Sequence, residues 1–148
     1  MKNNLLTVIV ALFLVLVNLN RASAQCPFGG NISQFPAGIV TPTCDGTPFE
    51  VTSCNFGGDY FLLDVIAGNQ YLISTCGGGF DSQLSVYDEV SQTLIAYNDD
   101  FGPGCPSAQA SVQFVANFTG LVRVLVNEYF CTSNFTCIPV TVTCSVAP

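Results

Sequence analysis

Eight cysteines, Cys26, Cys44, Cys54, Cys76, Cys105, Cys131, Cys137 and Cys144, all fall after the first 24 residues of this 148-residue chain. No other feature restricts the fold as much, because each bond between two of them holds distant backbone within about 7 Å. The leading segment says which chemistry to expect of them. Met1 to Ala24 has Lys2 in a short polar head, a mostly apolar run from Leu5 to Leu19, and the small residues Ala22-Ser23-Ala24. This is the pattern of a signal peptide cleaved before Gln25, and the run is shorter than the roughly 20 residues of a membrane span. Export into an oxidising compartment makes an even cysteine count a disulfide framework. Zinc is the competing reading, but the chain has no histidine and no CxxC pair. Eight cysteines allow about 105 pairings. The positions favour Cys76 with Cys105, bracketing one acidic region, then Cys44 with Cys54 across a short hairpin and Cys131 with Cys137 around Thr132 to Thr136. Cys26 would then join Cys144, fastening an N-terminal arm to the last strand.

Charge narrows the function. In residues 25–148 only Arg123 faces ten Asp and Glu, so the side chains sum to one minus ten, or −9. Such a surface repels nucleic acid and anionic lipid and suits a soluble exported protein without membrane insertion. Without histidine, Ser-His-Asp and Cys-His arrangements are excluded, and the single lysine, Lys2, belongs to the signal peptide. Paired carboxylates remain, but a short chain without tryptophan offers little substrate cleft. The expectation is a protein that is not an enzyme.

The rest of the chain reads as β-structure in a single domain over residues 25–148. Gln25 to Pro42 is rich in Gly, Pro, Asn and Ser and reads as a loop or an edge strand. Strands are predicted at 49–52, 59–65, 70–75, 84–87, 93–97, 110–115, 121–128 and 138–144, with turn chemistry at Asp45-Gly46, Ala67-Gly68-Asn69 and Asn117 to Gly120. The last alternates Val140, Val142 and Cys144 with Thr141 and Thr143 in period two, and no stretch carries a helical repeat. Eight short strands at this spacing predict an all-β, antiparallel, jelly-roll-like sandwich stabilised by disulfides.

Several pieces taken in order carry a resemblance: Gly58-Asp59-Tyr60-Phe61, Ala67-Gly68-Asn69-Gln70-Tyr71, Phe80-Asp81-Ser82-Gln83-Leu84-Ser85-Val86-Tyr87, Ala96-Tyr97-Asn98-Asp99-Asp100 and Gly120-Leu121-Val122-Arg123-Val124. Over about residues 58–127 the chain resembles the bacterial pre-peptidase C-terminal domain. The resemblance implies a non-catalytic sandwich that attaches or targets secreted enzymes, here with no enzyme joined to it.

Two kinds of site residue stand out. If the strands at 84–87 and 93–97 pair, Asp81 and the run Asn98-Asp99-Asp100 meet at one end of the sheet. Carboxylates, an Asn carbonyl and backbone carbonyls on adjoining loops suit a hard cation, so these four residues are calcium-ligand candidates, with Asp59 and Glu128 as further oxygens. The same residues also suit turns closed by Asx hydrogen bonds. Phe28, Phe35, Phe56, Phe101, Phe130 and Phe135 fall in loop-like contexts, either packed beneath loops or forming a contact surface. Phe101, Phe35 and Phe56 are the binding candidates. Together these features predict a secreted extracellular structural or adhesive subunit, calcium-stabilised, that forms homo-oligomers or fibres or attaches to a surface matrix. Strand addition by Gln25 to Val40 of a neighbour is one route. The alternative is an accessory module that binds extracellular polysaccharide or protein alongside separate secreted enzymes.

Overall fold

The computed structural model describes residues 25–31, 33–105 and 108–148; the expected signal peptide lies outside the described residues. Among the described residues nine strands form two sheets: β1 (Ser33–Val40), β2 (Pro48–Gly57), β3 (Asp59–Val65), β4 (Asn69–Ser74), β5 (Ser82–Asp88), β6 (Leu94–Asn98), β7 (Ser111–Val115), β8 (Gly120–Glu128) and β9 (Asn134–Val146). One sheet has the order β1-β3-β8-β5-β6 and the other β2-β9-β4-β7. From β2 onward the chain passes back and forth between the sheets as a jelly roll does. β1 is an addition to that plan, running parallel to β3 along one edge, while the other pairings are antiparallel.

Period-two alternation explains the core. Phe61, Leu63 and Val65 of β3, Val122, Val124 and Val126 of β8, and Leu84 and Val86 of β5 turn inward from the first sheet. Tyr71 and Ile73 of β4, Val112 and Phe114 of β7, and Ile138, Val140 and Val142 of β9 meet them from the second. At the crossing from β2 to β3 the chain needs the left-handed conformation that Gly58 adopts, φ 104°.

The outer face of the five-stranded sheet is also covered. Residues 25–31 lie across it, so that Cys26, Tyr87 and Leu125 form a second buried cluster with Phe28 and Tyr60 against them. The Ser85 hydroxyl accepts the Cys26 N–H at 3.2 Å, and the Tyr87 hydroxyl donates to the Cys26 carbonyl at 2.5 Å. Arg123 bonds Glu89 through two nitrogens, at 2.6 and 2.8 Å, and lies 4.3 Å from the ring centres of both Phe28 and Tyr60. The arm read as free for a neighbour's sheet is therefore occupied within its own chain: residues 25–31 cover one face and β1 pairs with β3.

The disulfides are Cys26–Cys131, Cys44–Cys144, Cys54–Cys137 and Cys76–Cys105. Cys76–Cys105 agrees with the expected pairing; the other three expected pairs are corrected. Cys44 and Cys54 cannot meet because most of the segment between them is extended in β2, and six strand residues alone span about 20 Å. Cys131 belongs to the cluster outside the five-stranded sheet, whereas Cys137 lies in β9 of the opposite sheet, next to β2 and Cys54. Cys26 and Cys144 are likewise separated by the sandwich, Cys26 outside the first sheet and Cys144 in the core against the second.

Candidate functional site

Strands β2, β4, β6 and β8 end, and β3, β5, β7 and β9 begin, at the same end of the sandwich. Three of the four disulfides secure that end. Cys76–Cys105 links the β4–β5 loop to the β6–β7 loop, Cys26–Cys131 holds the short 3-10 turn Tyr129–Cys131 to the arm, and Cys54–Cys137 ties β2 to β9.

The hairpin of β5 and β6 pairs Leu84 with Asn98, which brings Asp81 to the end where Asp99 and Asp100 lie. Glu128 joins them, because Ser82 pairs with Glu128 and the Asp81 carbonyl accepts the Tyr129 N–H at 3.0 Å. Partial burial raises the pKa of Asp81 most, and repulsion from Asp100, Asp99 and Glu128 adds to it. Asp99 is raised by burial and by Asp100, against a hydrogen bond from Tyr97, and its Oδ1 is buried without a partner. Burial pushes the Tyr97 phenol up to about 12, although the Gln83 amide donates to it at 2.8 Å. Arg123 cannot relieve this crowd, since it pairs with Glu89 beyond the other end of β5.

The four calcium candidates are thus neighbours, but Asn98 is already used. Its Oδ1 accepts the Ser111 N–H and its Nδ2 donates to the Asp100 carbonyl, both at 3.1 Å, bracing the β6–β7 loop. Among the described residues no three Asp, Glu or Cys side chains lie close enough together to hold a metal ion. Asp59 turns elsewhere, its carboxylate accepting the Phe56 N–H at 3.3 Å.

Aromatic side chains share that end of the sandwich with the carboxylates. Phe101 is 73% exposed, Phe130 77% and Phe135 89%. Phe130 sits 4.0 Å from Tyr129 ring to ring, and Phe135 meets Phe56 edge-on at 6.4 Å. Phe56 and Phe35 are exposed too, and Asn55 Nδ2 donates to the Phe35 carbonyl at 3.0 Å. Phe101, Phe130 and Cys131 all hold positive φ, 52°, 62° and 59°, a conformation that costs about 1–3 kcal/mol each outside glycine. The sequence reading selects Phe101, Phe35 and Phe56 but passes over Phe130 and Phe135 as binding residues, and it does not single out Tyr129. The available signal is their spacing: Tyr129 and Phe130 abut Cys131, and Phe135 lies between Cys131 and Cys137. Such an end offers apolar rings beside negative charge, held in place by covalent bonds.

The family model described as "Domain of unknown function (DUF8695)" matches residues 51–147, β2 through β9 almost entire. The chain belongs to the DUF8695 family. Its model begins after the arm and β1, so those parts lie outside the matched span. No curated protein matches the chain. Among solved structures it is similar to the pre-peptidase C-terminal domain of a collagenase from Bacillus anthracis, with a TM-score of 0.46 and 13% identity over 74% of this chain and 96% of that one.

Proposed function

We infer that this protein is a non-catalytic, secreted adhesive module that attaches to an extracellular surface or matrix through its disulfide-held end. The observation that carries the reading is the display of Phe101, Phe130 and Phe135, largely exposed, on the β6–β7 loop, the 3-10 turn and the start of β9, which Cys76–Cys105, Cys26–Cys131 and Cys54–Cys137 hold in place. Large apolar groups cost solubility when exposed, and prior ordering reduces the entropy lost on binding, so rigid exposed rings suit a contact surface. Four disulfides fit an oxidising, extracellular setting, and among the described residues no helix is long and apolar enough to cross a membrane. The absence of histidine, the bonding of all eight cysteines and the pairing of Arg123 with Glu89 support the non-catalytic part.

Calcium belongs to this proposal on narrower ground. Asp81, Asp99, Asp100 and Glu128 repel one another, and a divalent cation would relieve that, but oxygens from a partner would have to complete its shell. The test is retention of the secreted, disulfide-bonded protein on insoluble matrix from its own source, with calcium and with chelator. Phe130→Ser/Phe135→Ser is expected to abolish retention while leaving the melting temperature within a few degrees. Retention equal to wild type would refute the reading, and retention indifferent to chelator would remove calcium from it.

A further inference from the structure

The four sheet edges are not equally defended. β1 carries Pro36 and a break in register between Gln34 and Ile39; β2 carries Pro48, Glu50 and three register shifts; β6 shifts register opposite Val86 and Tyr87. Proline, charge and bulges all oppose strand addition at an edge. β7, Ser111–Val115, has none of them: its pairing with β4 is unbroken, and no charged residue occurs from Phe101 to Val122.

The direction of its free groups follows from the ladder. Ala116 N–H bonds the Asn69 carbonyl and Thr75 N–H the Ala110 carbonyl, so Phe114 and Val112 also face β4, while Ser111, Gln113 and Val115 turn their N–H and C=O outward. Asn98 Oδ1 takes the Ser111 N–H. Gln113 and Val115 are left as an open ladder one residue apart, beside grooves of about 440 and 400 Å³ between β6 and β7.

We propose that this edge joins two copies of the chain, β7 to β7, antiparallel about a two-fold axis at Phe114. In that register Gln113 of each copy faces Val115 of the other, and each pair exchanges two hydrogen bonds, four in all. The occupant is a second copy for two reasons. The open groups are self-complementary under a two-fold axis, and no residue of β7 is charged, Asp88 being the one acid lining the grooves beside it, so chains of like net charge meet there with little repulsion. The two four-stranded sheets become one of eight strands, and Val115, 52% exposed in the single chain, is covered. This inference does not depend on the aromatic end.

Sedimentation and concentration-dependent amide exchange test it. The wild type is expected to dimerise, with the Gln113 and Val115 amides slowing as concentration rises. Gln113→Pro removes an N–H that β4 does not use, so the sheet survives, while two of the four seam bonds go and the dimer weakens about tenfold or more. Val115→Glu places like charges across the seam and gives the same result without proline. A wild type that stays monomeric, a dimer indifferent to both variants, or protection of these amides only by a different protein would each overturn the proposal.

Discussion

Gly102→Ala tests how firmly the β6–β7 loop, which carries Asp99, Asp100 and Phe101, is seated on β7. A methyl group at Gly102 would press on the Ser111 carbonyl oxygen, 2.7 Å from its carbonyl carbon and 2.8 Å from Asn98 Oδ1. Ordinary contacts need about 3.5 Å, and the obstruction is backbone, so loop and strand must part by about an ångström. That movement strains two hydrogen bonds, Ser111 N–H to Asn98 Oδ1 at 3.1 Å and Ser111 hydroxyl to the Pro103 carbonyl at 2.7 Å. Overpacking costs about 1–3 kcal/mol, and each lost bond about 0.5–1.5 kcal/mol. A loss of about 2–6 kcal/mol is expected, which for a domain of this size lowers the melting temperature by roughly 8–24 °C. Thermal unfolding followed by circular dichroism, disulfides intact, measures it. Gly29→Ala, with nothing within 4 Å of the added carbon, should leave the melt unchanged. A Gly102→Ala melt within about 2 °C of wild type would refute this account of the loop's seating.

Two further outcomes are expected. Asp81 and Asp99 have folded pKa values above their ordinary 3.8, so the stability they favour is full below that value and declines as pH rises through the raised values. Asp45 and Asp88, held low chiefly by hydrogen bonds from Thr47 and Ser91, add stability above 3.8 that is lost as pH falls through their lowered values. The melting temperature should therefore peak near pH 4 and be lower at pH 7, with the decline flattened in Asp81→Asn; a steady rise from pH 4 to pH 7 would count against the crowding of these acids. Non-reducing digestion should yield a peptide pair joined through Cys54 and Cys137, and Cys54→Ala/Cys137→Ala should cost about 2–4 kcal/mol. A peptide linking Cys44 to Cys54 would contradict an extended β2.

What the sequence discloses is what is local. Period-two runs such as Asp59 to Val65 and Gln70 to Thr75 coincide with β3 and β4 to within a residue, and the meeting of Asp81 with Asp99 and Asp100 follows from one hairpin. β1 is harder to read, because Pro36 and Gly38 interrupt its apolar pattern and its partner, β3, runs parallel to it. The disulfide map fails for a different reason. Whether Cys131 faces Cys26 or Cys137 depends on which side of which sheet each occupies, and alternation along a strand fixes a side only once the sheet order is known. Phe130 and Phe135 are obscured because an apolar ring in sequence is equally compatible with a core and with a displayed surface; only their positions in the 3-10 turn and at the start of β9 leave them outside.

Hydroxyl-radical footprinting of the protein on its matrix addresses the adhesive reading most directly. Phe101, Phe130 and Phe135 should be modified readily in free protein and protected when bound, while Val90, 90% exposed in the β5–β6 turn at the opposite end, stays equally reactive in both. Protection of Val90 with the three phenylalanines unchanged would place the contact at the other end and contradict the account.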